Sequence, residues 1–309
     1  DRRLMLAAAE RHLPQLLAER AHALIRDELG DLTLEDCAIL REGRPVARIE
    51  PGKSPSRPRL VLAKELRALD EAHRTRLSEA LEHWLEGELA PLAPLRRIEA
   101  AALDPEAGSE VRAVLLAVAS GNGAIAREQA GLGQVPKDKR VLLRRLGVMI
   151  GSLDLFVPAL LKPAARRVLH AIGADRRPVQ EGMEAVISSG RQLPAGYRRA
   201  GSQAIRIDLA EKLFRTAHEQ RERSRGRDFG VDPALATSMG LLPENFRKLM
   251  HAAGFRQAQE RKLAKGAFGP PAPPAWNWRA PRRDERKAER APARPTQGNA
   301  FASLARLVR

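Results

Sequence analysis

The sequence predicts a mostly α-helical protein, a helical bundle or array with a small β unit, a short β-hairpin and a disordered basic tail at its C-terminus. Aromatic residues make up only 4% of the chain, whereas Ala, Leu, Arg and Glu are abundant. This composition favours helices because strands draw on β-branched and aromatic side chains. Apolar residues make up 43% of the 309 residues, enough to bury a core, and the length suggests two or three domains.

The first predicted unit, residues 1–36, is an N-terminal helix. Apolar residues recur at intervals of three and four over residues 14–29, as on one face of a helix, and Gly30 follows as the end of the helix. Pro14 suits the first turn, so a helix in the residues before it is expected to be separate or joined through a kink.

A change of period predicts a small β unit over residues 37–62. In "CAILREGRPVARIEPGKSPSRPRLVL", short apolar runs are separated by Glu42-Gly43 and by a proline-rich turn, which is typical of strands joined by tight turns. The helical period returns from Leu66 to Leu89 and opens a helical domain over residues 63–140, which also contains the apolar helix "SEVRAVLLAVAS".

A second helical domain is predicted for residues 141–265. It starts with a short β-hairpin over residues 148–157, where two apolar strands flank a Gly-Ser turn. Further along, "AIRID" predicts a strand whose last residue, Asp208, is placed to cap the following helix. Residues 232–254 predict a hairpin of two short helices, because proline starts each helix and glycine ends it.

Residues 266–309 form the predicted disordered basic tail. This segment holds seven prolines, eight arginines and one lysine against three acidic residues, which leaves too little apolar area to offset the entropy lost on ordering. A short terminal helix is the exception, because Phe301, Leu304 and Leu307 fall on one helical face. The chain begins with Asp rather than Met, so we expect it to be part of a longer protein.

The charge of the chain points to a polyanionic partner. Its formal net charge is +16 and its pI is about 11.0, so its electrostatic field attracts polyanions. Nucleic acid is favoured over a membrane, because the sequence shows no lipid anchor and no run of about eighteen apolar residues. Ala- and Arg-rich proteins are also known to be basic without a specific partner.

The chemistry-bearing residues do not form a recognisable catalytic or metal-binding pattern. A single cysteine, Cys37, excludes disulfide frameworks and Cys-rich metal sites, and a reducing cytoplasm is the expected location. The seven histidines are scattered, and no Ser/His/Asp, Cys/His or paired-carboxylate arrangement stands out. We therefore expect no catalytic residue, metal site or cofactor in this chain, and no enzymatic activity from it alone.

Two nucleotide-binding motifs match in their letters but not in their context. The stretch "DEAH" at residues 70–73 reads as a DExH box, which in a motor sits at the tip of a buried strand. Here it falls within a predicted helix, where Asp70 is placed to pair with Arg74 and His73 to be half-buried. The "GKS" at residues 52–54 lacks the first glycine of a phosphate-binding loop and is flanked by prolines, so a β-turn is predicted.

A third motif imitates a dinucleotide-binding fingerprint. Gly121, Gly123 and Ala126 follow an apolar run in "VLLAVASGNGAIA" with the required spacing. A strand that ends in a ribose-binding acid should come next, but the segment "PKDKRVLLRRL" is charged and helical. Gly121 is therefore predicted to end a helix.

Several segments occur in an order that is more specific than any one of them. After a long helix they are "EGRPVARIEPG", "RPRLVLAKEL", "LRRLGVMIGSLDLFVPALLKP", "AIRIDLAEKLF" and "GVDPALATSMGLLPENFRKLMHAAGFR". This order resembles the region downstream of the motor in proteobacterial ATP-dependent DExH helicases, which are similar to the mitochondrial suppressor-of-Var RNA helicases of superfamily two. The resemblance covers residues 10–256 and the "FASLARL" ending.

The resemblance implies that two RecA-like motor domains precede this region in the parent protein, and that the region folds back on them to help enclose a single strand. ATP and Mg²⁺ would belong to those motor domains, because the phosphate-binding loop, the strand-borne DExH box and the arginine-finger motif are not found in this sequence. The implied partners are single-stranded nucleic acid, with RNA favoured over DNA, and the upstream motor domains.

The nucleic-acid-binding residues are predicted from the basic clusters "GYRRAGSQAIR" and "RERSRGR". Affinity is expected from arginines on phosphates, with Tyr197 as a stacking surface. The structural alternatives are surface ion pairs for Arg198, Arg199 and Arg206 and simple packing for Tyr197. The candidate residues are Tyr197, Arg198, Arg199, Arg206, Arg221, Arg223, Arg225 and Arg227.

Two other functions stay open at this point. The chain could be a protein-binding scaffold whose basic tail recruits a protein partner. It could also be a DNA-binding regulator that uses the helical hairpin at residues 232–254 as a helix-turn-helix, although the second helix has little polar surface for base edges.

Overall fold

The protein is predominantly helical, with small antiparallel sheets of three or four strands, which confirms the predicted fold class. Among the described residues, no helix is both long enough and apolar enough to cross a bilayer. The computed structural model describes residues 2–26, 31–180, 182–225, 228–258 and 274–279.

The helices alternate with the strands along the chain. They are α1 (Arg2–Arg26), α2 (Glu71–Glu88), α3 (Ala93–Leu103), α4 (Ser109–Ser120), α5 (Arg140–Arg145), α6 (Pro163–Ala171), α7 (Ile207–Arg223), α8 (Ala234–Ser238) and α9 (Pro243–Ala252). The strands are β1 (Leu32–Glu35), β2 (Ala38–Arg41), β3 (Arg44–Ser54), β4 (Arg57–Leu62), β5 (Ala124–Ala126), β6 (Met149–Ile150), β7 (Asp154–Phe156), β8 (Val186–Ser188), β9 (Tyr197–Ala200), β10 (Gln203–Arg206), β11 (Phe229–Gly230), β12 (Phe255–Gln257) and β13 (Ala275–Trp278).

Helix α1 differs from its prediction at its beginning. Pro14 lies inside a continuous helix rather than in a first turn. The residues around and before Pro14 are mostly exposed, so water can satisfy the backbone carbonyl that loses its N–H partner. Leu17, Ala21 and Leu24 bury the expected apolar face, while Gly30, the predicted end of the helix, lies outside the described residues.

The small β unit is a four-stranded antiparallel sheet in the order β1-β2-β3-β4. It begins at Leu32, five residues before the predicted start, because Asp36 and Cys37 form a two-residue turn with positive φ. Turns of this kind usually contain glycine, so their sequence signal was missing here. Glu42-Gly43 makes the second turn as predicted, with φ of 50° and 72°.

The helical stretch predicted from Leu66 to Leu89 is broken near its start. A 3₁₀ turn over Glu65–Ala68 ends at Leu69, and α2 begins only after Asp70. The Asp70 side chain caps α2 by accepting a hydrogen bond from the backbone N–H of His73 at 2.9 Å. An aspartate at the N-cap satisfies one of the free amides of the first turn.

The apolar residues form two main clusters. The larger one gathers buried side chains from Leu17 through Ile172 and so joins α1, the four-stranded sheet and α2–α6. The second cluster runs from Leu153 to Trp276 and is built around α7, α9 and the strands beside them. Because β7 supplies Leu155 to the first cluster and is preceded by Leu153 of the second, the two clusters meet at this strand.

The predicted β-hairpin at residues 148–157 is present as the antiparallel pair β6–β7, with Ile150 opposite Leu155. It is extended by β5, which pairs with the other edge of β7 and was not predicted. Three residues of β5 are too few to show a period in the sequence.

Strand β10 of the C-terminal part was predicted, but its sheet partners β8 and β9 were not. The cap predicted for the helix after β10 is also different. Arg206, not Asp208, occupies the position before α7, and Asp208 lies in the first turn. There its carboxylate pairs with the Arg206 guanidinium, with Nη2 and Oδ2 2.6 Å apart. The two short helices predicted at residues 232–254 are confirmed as α8 and α9.

The predicted disorder of residues 266–309 is wrong where the chain forms β13. This strand lies between β11 and β12 in a three-stranded antiparallel sheet. Trp276 is only 2% exposed, so one aromatic side chain supplies the apolar area that the prediction found lacking. Residues 266–273 and 280–309, with the predicted terminal helix, lie outside the described residues.

Candidate nucleic-acid interface

Outside the basic tail, the excess of positive charge is largest in residues 140–206. Residues 140–206 contain twelve arginines and lysines against four acidic residues, whereas residues 64–139 contain ten against thirteen. The basic segment spans α5, the β6–β7 hairpin, α6 and the sheet β8-β10-β9. A polyanion is therefore attracted to the junction between the two apolar clusters rather than to the helical layer of α2–α4.

Burial separates these twelve cations into two groups. Four of them are buried or half-buried, and each bonds to a protein acceptor: Arg140, Arg166, Arg198 and Arg206. Eight of them are exposed: Arg144, Arg145, Lys162, Arg167, Arg176, Arg177, Arg191 and Arg199. Apart from those of Arg177 and Arg199, the side chains of the exposed ones make no ion pair or hydrogen bond with a described residue.

The predicted site residues of the first basic cluster lie together on β9 and at the end of β10. Arg198 Nη1 donates to Asp154 Oδ1 at 2.7 Å, and Arg206 pairs with Asp208. Arg199 is exposed and donates to Ser189 Oγ and to the Gly190 carbonyl. The ion-pair alternative therefore describes Arg198 and Arg206, while Arg199 has no acidic partner among the described residues.

Tyr197 is half-buried, and its hydroxyl donates to the Glu184 carbonyl at 2.7 Å. Burial raises the pKa of the phenol, and the Glu184 and Asp208 carboxylates add to this effect against the opposing charge of Arg206. The hydroxyl is therefore held protonated and oriented. Its ring lines two neighbouring depressions of the surface, which leaves both packing and stacking as roles for this residue.

The second predicted cluster lies at the end of α7, and one of its arginines is engaged within the protein. The Arg221 guanidinium lies 4.4 Å from the ring centre of Trp278, so this cation is engaged in a cation–π contact. Arg223 and Arg225 are exposed. Arg227 lies outside the described residues.

A buried carboxylate, Glu211 of α7, holds the β6–β7 turn in place. It is 6% exposed and accepts hydrogen bonds from the backbone N–H groups of Ser152, Leu153 and Asp154 at 2.6, 2.9 and 3.3 Å. Successive N–H groups that converge in this way form an anion-binding concavity. Gly151 is required beside it, because a Cβ there would overlap the Glu211 carboxylate.

Asp154 lies between this carboxylate and Arg198. Burial raises the pKa of the Asp154 carboxyl to about 6, Arg198 opposes the shift, and Glu211 reinforces it. The ordinary pKa of this side chain is 3.8. The folded chain therefore takes up a proton at Asp154 between about pH 6 and pH 4, where the unfolded chain does not.

This shift predicts a pH-dependent difference between the wild type and Asp154→Asn. The free energy of unfolding of the wild type should increase as pH falls through 6, because protonation of Asp154 removes the cost of a buried charge. The free energy of unfolding of Asp154→Asn minus that of the wild type should be about 2 kcal/mol more positive at pH 8 than at pH 4. Urea denaturation at both pH values measures it. Asp138→Asn, which changes an exposed aspartate, should show no such change, and a pH-independent difference for Asp154→Asn would contradict the assignment.

A cleft of about 570 Å³ opens beside these residues. Its walls come from the end of α4, from β5 and β7, from the segment after α6 and from the start of β9, and its lining includes Asn122, Asp154, Asp175, Arg177 and Tyr197. A smaller cavity of about 40 Å³ lies next to it and shares the last three of these residues. Of the twelve cations of residues 140–206, only Arg177 lines the larger, open cleft, together with the carboxylates of Asp154 and Asp175.

Asp175 links the cleft to α6. Its carboxylate lies 2.7 Å from Arg177 Nη2 and 3.4 Å from Arg166 Nη1. Burial acts to raise the pKa of Asp175, but the hydrogen bonds from Arg177 hold the pKa below its ordinary value. Arg177 is 42% exposed, so it keeps donor capacity for an anion. Sequence reasoning missed Arg177, although the Arg176-Arg177 pair after α6 carried the signal.

The three nucleotide-binding motifs lie in contexts unlike those of motors. Residues 52–54 end β3 before a turn into β4, as predicted. The DEAH stretch starts α2, where Glu71 is exposed and pairs with Arg74; the predicted Asp70–Arg74 pair is wrong because Asp70 caps the helix and binds His73 Nδ1 at 2.6 Å. Gly121 ends α4 and β5 follows, the reverse of the strand-to-helix order of a dinucleotide site.

The helical hairpin α8–α9 has the features of a packing unit. α8 has only five residues, and Phe246, Leu249 and Met250 of α9 are buried. The Asn245 side chain is fully buried and bonds to Ser202 and Gln203 in the β9–β10 hairpin. A recognition helix needs an exposed face that reaches base edges. α9 buries its apolar face in the second cluster and exposes Glu244, Arg247, Lys248 and His251 on the other side.

Comparisons with protein-family models, with curated proteins and with solved structures gave no match for this chain. Among the described residues, no group of three or more His, Cys, Asp or Glu side chains is placed to hold a metal ion.

Proposed function

We propose that this chain is a nucleic-acid-binding accessory module of an ATP-dependent helicase, which contacts the backbone of a single strand and packs on the motor domains. RNA is the preferred strand. ATP and Mg²⁺ would be bound by the motor domains and not by this chain. The observation that supports the binding role is that residues 140–206 contain twelve basic residues against four acidic ones, and that eight of these basic residues are exposed.

Exposed arginines and lysines suit phosphate binding because each contact releases condensed counterions from the strand. The six exposed cations without a described protein partner keep their full donor capacity, and a guanidinium presents several N–H groups to phosphate oxygens. Tyr197 adds an aromatic face at the cleft, and base stacking on such faces is tolerant of sequence. This combination favours binding of single strands without strong dependence on their order of bases.

Binding to a fluorescein-labelled oligouridine tests this function. We expect fluorescence anisotropy to show binding at low salt and an affinity that falls by orders of magnitude between about 50 and 200 mM salt. Charge reversal of two exposed arginines, Arg176→Glu with Arg191→Glu, should weaken binding and lower the salt dependence.

The matched control reverses the charge of two exposed arginines in residues 64–139, Arg76→Glu with Arg97→Glu. Both double variants change the net charge equally, so a general effect of charge would weaken both alike. Selective weakening by the first pair supports a site in residues 140–206. Equal weakening would contradict that location, and an absence of binding at low salt would favour the protein-binding scaffold.

A further inference from the structure

Two histidines from different helices face each other at the surface where α1 packs on α2. The Nε2 atoms of His22 and His73 lie 2.8 Å apart, and the two rings meet edge to face with their centres 4.7 Å apart. His22 is exposed, and 27% of the His73 side chain is accessible. The pair can therefore be reached from solvent.

Asp70 fixes the orientation and the tautomer of His73. Its Oδ2 lies 2.6 Å from His73 Nδ1, and its Oδ1 accepts from the His73 backbone N–H at 2.9 Å. An ionised carboxylate only accepts hydrogen bonds, so Nδ1 of His73 carries a proton. In the neutral ring Nε2 is then left with a lone pair, and this lone pair points at His22.

The same arrangement occurs where proteins bind transition-metal ions. A ligating histidine usually donates its second ring N–H to a carboxylate, which orients the ring and raises its basicity. Imidazole nitrogens suit Zn²⁺ and Cu²⁺. Two Zn–N bonds of about 2.1 Å at a tetrahedral angle place their nitrogens about 3.3 Å apart, so the pair needs to open by about half an ångström. Because both rings are accessible, side-chain rotation can supply this movement.

We propose that His22 and His73 bind Zn²⁺ through their Nε2 atoms, and that Asp70 positions His73 for the ion. Two imidazoles are fewer than the three or four protein ligands of most zinc sites, so water would complete the coordination. The ion would replace the hydrogen bond between the rings and join α1 to α2. This inference does not rest on the proposed nucleic-acid binding.

A second carboxylate lies on the same face of α1. Glu19 is exposed one turn before His22, and residues three apart on a helix are neighbours on its surface. A Glu-x-x-His spacing also supplies metal ligands in helical bundles. Arg74, the cation beside His73 in the sequence, is paired with Glu71. Glu19 and Asp70 thus place negative charge next to the two rings, which favours a cation.

Calorimetric titration of Zn²⁺ into the full chain, first freed of metal with EDTA, tests this site. We expect one saturable site for Zn²⁺ and none for Mg²⁺, which prefers oxygen ligands. His22→Ala and His73→Ala should each weaken Zn²⁺ binding by about tenfold or more, because each removes one of the two protein ligands. His83→Ala, which removes an exposed histidine of α2, is the matched control and should leave the affinity unchanged.

Asp70→Asn distinguishes a metal site from a pair of rings that only share a hydrogen bond. Asparagine also caps helices well, so α2 should stay intact, and circular dichroism checks this. The amide NH₂ would face His73 Nδ1 and favour the tautomer with its proton on Nε2, which has no lone pair for the ion. We expect the Zn²⁺ affinity to fall by about 10- to 100-fold. Wild-type affinity in this variant would overturn the role of Asp70.

Urea denaturation gives a second readout. Zn²⁺ should raise the midpoint of unfolding in the wild type and in His83→Ala, but not in His22→Ala, since an ion that binds only the folded chain stabilises it. Equal Zn²⁺ affinity in the wild type and in both histidine variants would place the ion elsewhere and overturn the site. Absence of saturable Zn²⁺ binding to the wild type would overturn it as well, and would leave the two rings as a hydrogen-bonded pair.

Discussion

Glu211→Ala is expected to lower the free energy of unfolding by about 3 to 5 kcal/mol, because it removes the one acceptor shared by three successive backbone N–H groups. Leu153 and Asp154 would then keep buried donors without partners, and Ser152 a partly buried one. The turn before β7 would also lose its anchor to α7, which weakens the junction of the two apolar clusters. Glu211→Gln should lose less, because its carbonyl oxygen can still accept from the Leu153 and Asp154 N–H groups and only the Ser152 N–H would face the amide NH₂.

Urea denaturation followed by far-ultraviolet circular dichroism measures this effect. Glu219→Ala, on the same helix but exposed, is the matched control and should change stability by less than about 0.5 kcal/mol. A loss of less than about 1 kcal/mol for Glu211→Ala would mean that water replaces the carboxylate, and that Glu211 does not hold the turn.

Trp276→Ala should lower the stability of the C-terminal part by about 3 to 5 kcal/mol, the usual cost of removing a buried aromatic side chain. Trp276 is 2% exposed, and its ring lies 5.9 Å from that of Phe246 in an edge-to-face contact. It also belongs to β13, the central strand that pairs with β11 and β12. Loss of this side chain therefore loosens both the sheet and the face of α9 beneath it.

Hydrogen exchange with mass spectrometry locates this effect. Amides of β11 and β12 should exchange faster in Trp276→Ala, whereas amides of the four-stranded N-terminal sheet should keep the wild-type rate. Arg279→Ala, an exposed residue just beyond β13, is the matched control and should leave exchange unchanged. Wild-type protection of β11 and β12 in Trp276→Ala would show that β13 is not needed for the sheet.

Local sequence signals were sufficient to predict the elements whose ends are marked by proline, glycine or a turn. Proline and glycine limit α8 and α9 because a fixed φ starts a helix and a positive φ ends it, as at Gly240 and Gly254 with φ of 84° and 89°. The β6–β7 hairpin was predictable for the same reason, since apolar runs flank a turn. Where a turn used Asp36 and Cys37 instead of glycine, the prediction began the sheet too late.

The candidate site could be predicted only in part. The Tyr197, Arg198, Arg199 and Arg206 cluster was visible as a basic stretch, but the sequence did not show which of its arginines pair with an acid. Arg198 meets Asp154 across 44 positions, whereas Arg206 meets Asp208 two positions on. Only the folded chain could separate cations that pair with an acid from those that have no acidic partner among the described residues.

The sequence by itself determined the helical class, the short hairpins and the excess of positive charge, because composition, periodicity and turn residues act on the backbone nearby. Tertiary structure decided where β13 pairs, why Pro14 is tolerated inside a helix, and how Asn122 and Asp154 come to line one cleft. These features arise from burial and from hydrogen bonds between distant segments. The burial of a tryptophan, or the bonding of a carboxylate to three N–H donors, depends on the segments that pack against it. A local sequence pattern does not show those segments.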